Sequence, residues 1–287
     1  MEDDEIVVSV NLKEEPNKKK KKVKKTKDKK TKVRTSKTIR KKSQNKKLKV
    51  ISIIILIIVC TVLLLMSSLF NVKNINIDGN EKLSDDKIVS LSSIQLYTNI
   101  FKFNKKEIIN NIKKNAYIET VSLSRKLPNT VNITVNERKI NYMLQFADSY
   151  VYINNQGYML EISNEKVEVP ILVGFTTDLS NIKAGNRIND EDLGKMNTII
   201  KVYEMAKSNN LSELISKIDI SDSKNYIMEL ESKGKIVYLG DCSNTSDLNT
   251  KMLYLSSILD ASEGKKEKIF LNVDLNSQRV YSRPITQ

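Results

Sequence analysis

The sequence contains no histidine. That absence removes Ser-His-Asp and Cys-His catalysis, the histidine-containing zinc sites and the usual general base near neutral pH. Cysteine is almost as scarce, with Cys60 and Cys242 the two in the chain. Cys60 lies inside an apolar run, so Cys242 has no partner, and neither a disulfide framework nor a cysteine-based zinc site can be built. Nothing in the remaining composition calls for a cofactor. A further absence is local: the 23 residues from Val50 to Val72 carry no charge.

Charge is instead crowded into one end. Residues 1–50 hold 20 basic and 7 acidic side chains, and the rest of the chain holds 28 and 27. The overall surplus of +14 therefore belongs to the N-terminal tail, and polyanion binding could be argued only there. The tail's KKKKKVKKTKDKK run has few apolar residues and no helical stripe, so residues 1–49 are expected to be disordered. Its cations suit anionic lipid and membrane topology. Phosphate contacts to nucleic acid are the rival reading, but no aromatic residue interleaves the lysines as a stacking platform.

The core of the uncharged run is VISIIILIIVCTVLLLMSSLF, residues 50–70. At 1.5 Å per residue this is roughly 31 Å of helix, the thickness of a bilayer's hydrocarbon core. No face of it is polar, which argues against a buried core helix. A cleavable signal peptide fits poorly, since the run is long, a basic stretch of some 50 residues precedes it, and no Ala-x-Ala site follows. Residues 50–70 therefore read as an uncleaved transmembrane helix. The lysines before it place the N-terminus in the cytoplasm and the rest outside.

Residues 71–138 read as a small α+β domain. VKNINIDGN alternates Ile75 and Ile77 against asparagines and ends in a Gly-Asn turn. Ser84 precedes Asp85 and Asp86 as a helix N-cap. A second helix presents Ile108, Ile109 and Ile112, and then Val121 and Leu123 alternate along a strand. Leu-Pro-Asn turns the chain into the strand of Val131, Ile133 and Val135. The order is β-α-α-β-β. Arg125, Lys126, Glu137 and Arg138 read as solvated charges at strand ends.

A single anchor, then I-x-I-x-G-N, then a helix pair with N-I-F between, then V-S-L-S-R-K-L-P-N-T-V-x-I-x-V-x-E-R resembles the POTRA domain of the FtsQ/DivIB family of bacterial cell-division proteins. Residues 139–287 resemble that family's β domain through I-N-x-x-G, V-P-x-L-x-G, V-Y-L-G and V-D-L. The resemblance implies an α+β fold: one transmembrane helix, a POTRA domain and a mainly antiparallel β domain with helices. Asn154 stands where the family usually has Asp, and Asn276 where Arg commonly follows Asp-Leu. Within this region Leu193, Met196, Ile200 and Tyr203 mark the buried stripe of one helix. Leu248, Met252, Leu255 and Leu259 mark that of another.

No active site is legible. Ser-x-x-Lys occurs at 163–166 and 221–224, a spacing used by penicillin-binding enzymes, but the accompanying Ser-Asp-Asn and Lys-Thr-Gly elements are missing. The resemblance implies a non-catalytic scaffold at the division septum that binds small bitopic coiled-coil proteins of the FtsL and DivIC/FtsB type and supports septal peptidoglycan synthesis. Strand addition at the C-terminal sheet edge is the physical mode that fits. The strand Ile269–Leu275, with Arg279–Tyr281 beyond, is the expected binding region, and Phe270, Asp274 and Tyr281 are its expected contacts. The rivals are a membrane-tethered regulator whose tail binds nucleic acid, and a POTRA-bearing secretion or assembly factor.

Overall fold

The computed structural model describes residues 36–273 and 280–285, with side chains from residue 46 onward. Its first helix, α1, spans Ser36–Leu65. Residues 36–49, expected to be disordered, are helical. The apolar segment already carries the cost of helix nucleation, and Lys, Arg and Gln propagate a helix well once one exists. The expected disorder of residues 1–35 lies outside the described residues. At its other end α1 stops five residues before Phe70. Ile100 N–H bonds the Phe70 carbonyl at 2.8 Å, and the Phe70 ring meets Phe101 at 5.5 Å between centroids. Phe70 thus belongs to the core of the next domain rather than to the helix.

That domain is built from β1 (Asn74–Asp78), α2 (Asp85–Ser92), α3 (Lys105–Ile112), β2 (Ile118–Lys126) and β3 (Thr130–Glu137). Ser84 caps α2 by accepting from Lys87 N–H at 3.3 Å, and Asn104 caps α3 by accepting from Lys106 N–H at 3.1 Å. The sheet order is β1-β3-β2, with β1 parallel and β2 antiparallel to β3. Lys126 pairs with Thr130, so Leu127–Asn129 form the hairpin loop. The alternating inward residues meet Ile88, Ile108 and Ile112 of the two helices in one core. Each such side chain contributes about 1.5–3 kcal/mol on burial.

The second region is one mixed sheet of nine strands: β4 (Tyr142–Phe146), β5 (Ser149–Ile153), β6 (Met159–Ser163), β7 (Ile171–Val173), β8 (Lys217–Asp219), β9 (Tyr226–Leu230), β10 (Lys235–Gly240), β11 (Glu267–Phe270) and β12 (Tyr281–Pro284). The order is β12-β11-β10-β9-β8-β7-β4-β5-β6. Two helices, α4 (Asp190–Ser208) and α5 (Thr245–Ala261), connect parallel neighbours β7 to β8 and β10 to β11. The other pairings are antiparallel except β4 with β7.

Alternation along the strands divides the core. Leu144, Val151 and Ile153 pack with the helices, while Met143 and Tyr152 point to the opposite face and pack around Tyr117 from the first domain. Helix α5 buries Leu248, Met252, Leu255 and Leu259, the stripe read from spacing. Helix α4 does not follow its expected stripe. Its fully buried positions are Asp192, Lys195, Met196, Ile199, Val202 and Ala206, with Leu193, Ile200 and Tyr203 only half buried. The face is centred on Met196, Ile199, Val202 and Ala206, with Leu193 and Tyr203 packed at its margin and two charged residues at its N-terminal end. The Asp192 carboxylate accepts from the backbone N–H groups of Thr176 and Thr177 at 2.7–2.9 Å and from both threonine hydroxyls. Lys195 reaches Glu191 at 2.9 Å. The apolar part of the face follows helical spacing, and the two charged residues extend it toward the N-terminus.

Candidate partner-binding edge

The C-terminal strands build an exposed sheet edge. Strand β11 follows α5 and pairs parallel to β10, with Val237 opposite Ile269 and Tyr238 opposite Phe270. Val237 and Ile269 are fully buried beneath the helices. The odd-even alternation of strands then puts Tyr238 and Phe270 on the other face. Strand β12 returns antiparallel to β11, with Phe270 opposite Tyr281 and Lys268 opposite Arg283.

Three rings consequently stack across three neighbouring strands. Tyr238 and Phe270 lie 4.8 Å apart and 8° from parallel, and Phe270 and Tyr281 lie 4.9 Å apart and 20° from parallel. The spacing is that of adjacent strands. The Arg283 guanidinium sits 5.3 Å from the Tyr281 ring and 5.7 Å from that of Phe270. Tyr281, at the outer end, is 42% exposed.

The edge is fastened from beneath. Lys235, at the start of β10 and 2% exposed, donates to the Ser262 carbonyl and hydroxyl at 2.9 Å, to the Lys265 carbonyl at 2.7 Å and to Glu267 at 3.2 Å. It therefore ties the end of α5 to the start of β11. Burial pushes Glu267 up, but the bonds donated by Lys235 and Ser262, with the Lys235 charge, outweigh it and hold the carboxyl below its usual range.

Of the expected contacts, Phe270 and Tyr281 come together in the ladder, while Asp274, like Asn276 and Arg279, lies outside the described residues. The expected edge itself needs correction. The strand beginning at Ile269 is covered by β12, so the outermost strand is Tyr281–Pro284. A return strand of four residues, broken by a proline, is too short to announce itself by alternation. Tyr238 and Arg283 were missed for a related reason: cross-strand neighbours are set by register, which sequence spacing does not state.

Of the charged strand ends of the first domain, Arg125 and Lys126 are exposed as expected, while Glu137 and Arg138 are half buried and bonded to backbone. Glu137 accepts the backbone N–H groups of Glu81, Lys82 and Leu83 at 3.3, 2.7 and 3.1 Å. Arg138 donates to the Ala116 and Ile118 carbonyls at 2.8 and 2.6 Å and lies 4.2 Å from the Tyr158 ring centroid. These two side chains hold neighbouring backbone in place rather than standing free in water. Asn154 is 3% exposed and accepts from Gln156 and Tyr158 N–H at 3.1 and 2.8 Å, a turn-holding role that Asp could also fill. In the Ser-x-x-Lys motifs, Ser163 accepts from Glu165 N–H at 3.1 Å while Lys166 pairs with Glu231 at 3.8 Å. Ser221 donates to Asp219 at 2.6 Å. Burial pushes the Cys242 thiol up to about 11.

Among the described residues, one helix is long and apolar enough to cross a membrane, and it is followed by a three-stranded α+β unit and a nine-stranded sheet with two helices. The family model for the POTRA domain, FtsQ-type, matches residues 70–138. Cell division protein DivIB of Clostridium botulinum (strain Hall) is 32% identical over 205 residues, covering 69% of this chain and 76% of that protein. DivIB of Clostridium acetobutylicum is 29% identical over 217 residues, covering 74% and 83%. Cell division protein FtsQ of Rickettsia felis is 26% identical over 176 residues, covering 58% and 65%. The chain belongs to the DivIB/FtsQ family of cell-division proteins, and its role is in division.

Proposed function

We propose that this protein is a non-catalytic scaffold of the division machinery. The apolar part of α1 anchors it in the cell membrane with the N-terminus in the cytoplasm, and residues 71–138 and 139–287 are its two exported modules at the septum. Its β12 edge takes up a strand from a small bitopic coiled-coil division protein of the FtsL or DivIC/FtsB type, and through that contact it supports septal peptidoglycan synthesis. The basic tail rests against anionic lipid on the cytoplasmic side.

The observation that carries this reading is the open edge. Ile285 N–H bonds inward to the Lys266 carbonyl at 3.0 Å. Alternation therefore turns Arg283 and Tyr281 inward and leaves Ser282 N–H and C=O facing outward for an added strand. Pro284 offers no N–H, which limits pairing beyond that point. Ser282→Pro removes the outward donor without breaking a bond to β11. It should leave the protein folded by circular dichroism and abolish co-purification of the partner from detergent. Undiminished co-purification would count against strand addition. A fluorescent fusion should gather at mid-cell before constriction, and uniform membrane staining throughout the cycle would sink the septal assignment.

A further inference from the structure

Residues 66–138 expose six large apolar side chains: Met66, Leu69, Leu96, Tyr97, Phe101 and Leu127. All six fall in three short segments that are fastened to one another at one end of the domain. The Asn99 side chain donates to the Leu65 carbonyl, at the last residue of α1, at 2.9 Å. Val72 N–H bonds the Thr98 carbonyl and Tyr97 N–H bonds the Val72 carbonyl, at 3.0 and 2.8 Å. Lys73 N–H reaches the Asn129 carbonyl of the hairpin loop at 2.9 Å. Arg125 closes the set by donating to the Phe103 carbonyl at 3.1 Å. Segments 65–73, 96–103 and 125–129 therefore converge where the chain leaves α1.

The charge on this end has one sign. Lys73, Lys102, Arg125 and Lys126 are exposed there, and none of the three segments contains an acidic residue. The loop is also held in place. Tyr97 adopts φ 65, a costly conformation for a side chain of its size, while its ring stands 71% exposed. Such strain persists only where surrounding bonds fix it. Finally, the candidate span is Lys46–Leu65 and ends with α1; at 1.5 Å per residue it is roughly 30 Å long, the thickness of the hydrocarbon core. A span of that length ending at Leu65 puts the residues that follow it at the level of the lipid interface.

We propose that this end of the POTRA domain is a membrane-docking face. Leu69, Leu96, Tyr97, Phe101 and Leu127 enter the headgroup and upper acyl region of the outer leaflet. Lys73, Lys102, Arg125 and Lys126 meet anionic headgroups. The occupant is the bilayer itself, because the face is continuous in the chain with the end of the span. Tyrosine and phenylalanine beside lysine and arginine match the chemistry of that layer. The domain is then held at the membrane surface by five apolar tips as well as by its tether. The proposal rests on the anchoring by α1 proposed above, and its test separates the two.

The chain has no tryptophan, so one introduced residue reports alone. Full-length Tyr97→Trp and Phe101→Trp proteins are reconstituted in vesicles of phosphatidylcholine and phosphatidylglycerol, with and without lipids brominated near the top of the acyl chain. Leu56→Trp reports on the span, and Leu253→Trp, exposed on α5, reports on a remote face. Blue-shifted emission and loss of most intensity in brominated lipid at positions 97 and 101, with none at 253, is expected. Water-like, unquenched emission at 97 and 101 while position 56 is quenched overturns the docking face and leaves the anchor standing. Failure of quenching at position 56 overturns the anchor and the docking face together.

Discussion

Gly79 ends β1 with φ +83, and a Cβ built on it would lie against the Val135 carbonyl oxygen of β3. Both the backbone angle and the close approach exclude a side chain. Gly79→Ala should therefore cost at least about 2 kcal/mol, read as a lower urea midpoint for the full-length protein in detergent. A second residue-scale prediction concerns Glu267. Its carboxyl titrates lower in the folded than in the unfolded chain, so its contribution is present above the ordinary carboxylate value and is lost as pH falls through the folded one. Stability should decline on acidification below that ordinary range. Lys235→Met removes the cation responsible, so it should weaken the fold near neutral pH by up to about 3 kcal/mol and flatten this part of the acid limb. An unchanged acid limb in the variant would refute the assignment to the Lys235–Glu267 pair.

Among the elements, those with simple periods were legible and those defined by partners were not. Strands β1 to β3 alternate one apolar and one polar residue, and α5 repeats at helical spacing, so both faces follow from residue type. On α4 two apolar stripes lie side by side, Leu193, Ile200 and Tyr203 beside Ile199, Val202 and Ala206, and spacing alone does not say which is central. At its N-terminal end the buried face also takes in Asp192 and Lys195, whose charges are satisfied at close range. Strand β12 escaped because four exposed residues become a strand only by pairing with β11. Of the candidate site, Phe270 and Tyr281 were nominated through the family resemblance of the C-terminal segment, whereas Tyr238 and Arg283 needed the register. The α5 stripe makes a testable contrast. Leu255 is fully buried and Leu253 is 54% exposed two residues away. Leu255→Ala should cost about 2–5 kcal/mol and Leu253→Ala within about 0.5 kcal/mol of nothing, both from chemical denaturation. Similar losses at the two positions would mean that α5 is not packed as described.

At the scale of the whole molecule, the three-stranded unit and the nine-stranded sheet meet through a mixed junction centred on Tyr117. Its ring is buried with Met143, Tyr152, Leu160 and Ile171 of the large sheet, and its hydroxyl donates to Glu161 at 2.6 Å. Gln156 donates to Glu119 at 2.8 Å, and Lys82 stands 5.6 Å from the Tyr117 ring centroid. Arg138 joins the same junction through Tyr158. Burial, then the hydrogen bond and charge of Glu161, push the Tyr117 phenol well above its ordinary value of 10.0. Because the folded value is raised, the stabilisation is intact below pH 10 and is lost as pH rises above the unfolded value, where the unfolded chain gives up the proton first. The junction should therefore contribute to the loss of stability in alkali, alongside Tyr142 of the large core, whose phenol burial also pushes up. Tyr117→Phe keeps the ring and removes the proton, so it should blunt the alkaline loss of stability. Tyr117→Ala should cost about 3–5 kcal/mol and split calorimetric unfolding into two transitions, one for each module. A single transition in Tyr117→Ala, at the wild-type enthalpy, would show that the coupling between the modules resides elsewhere.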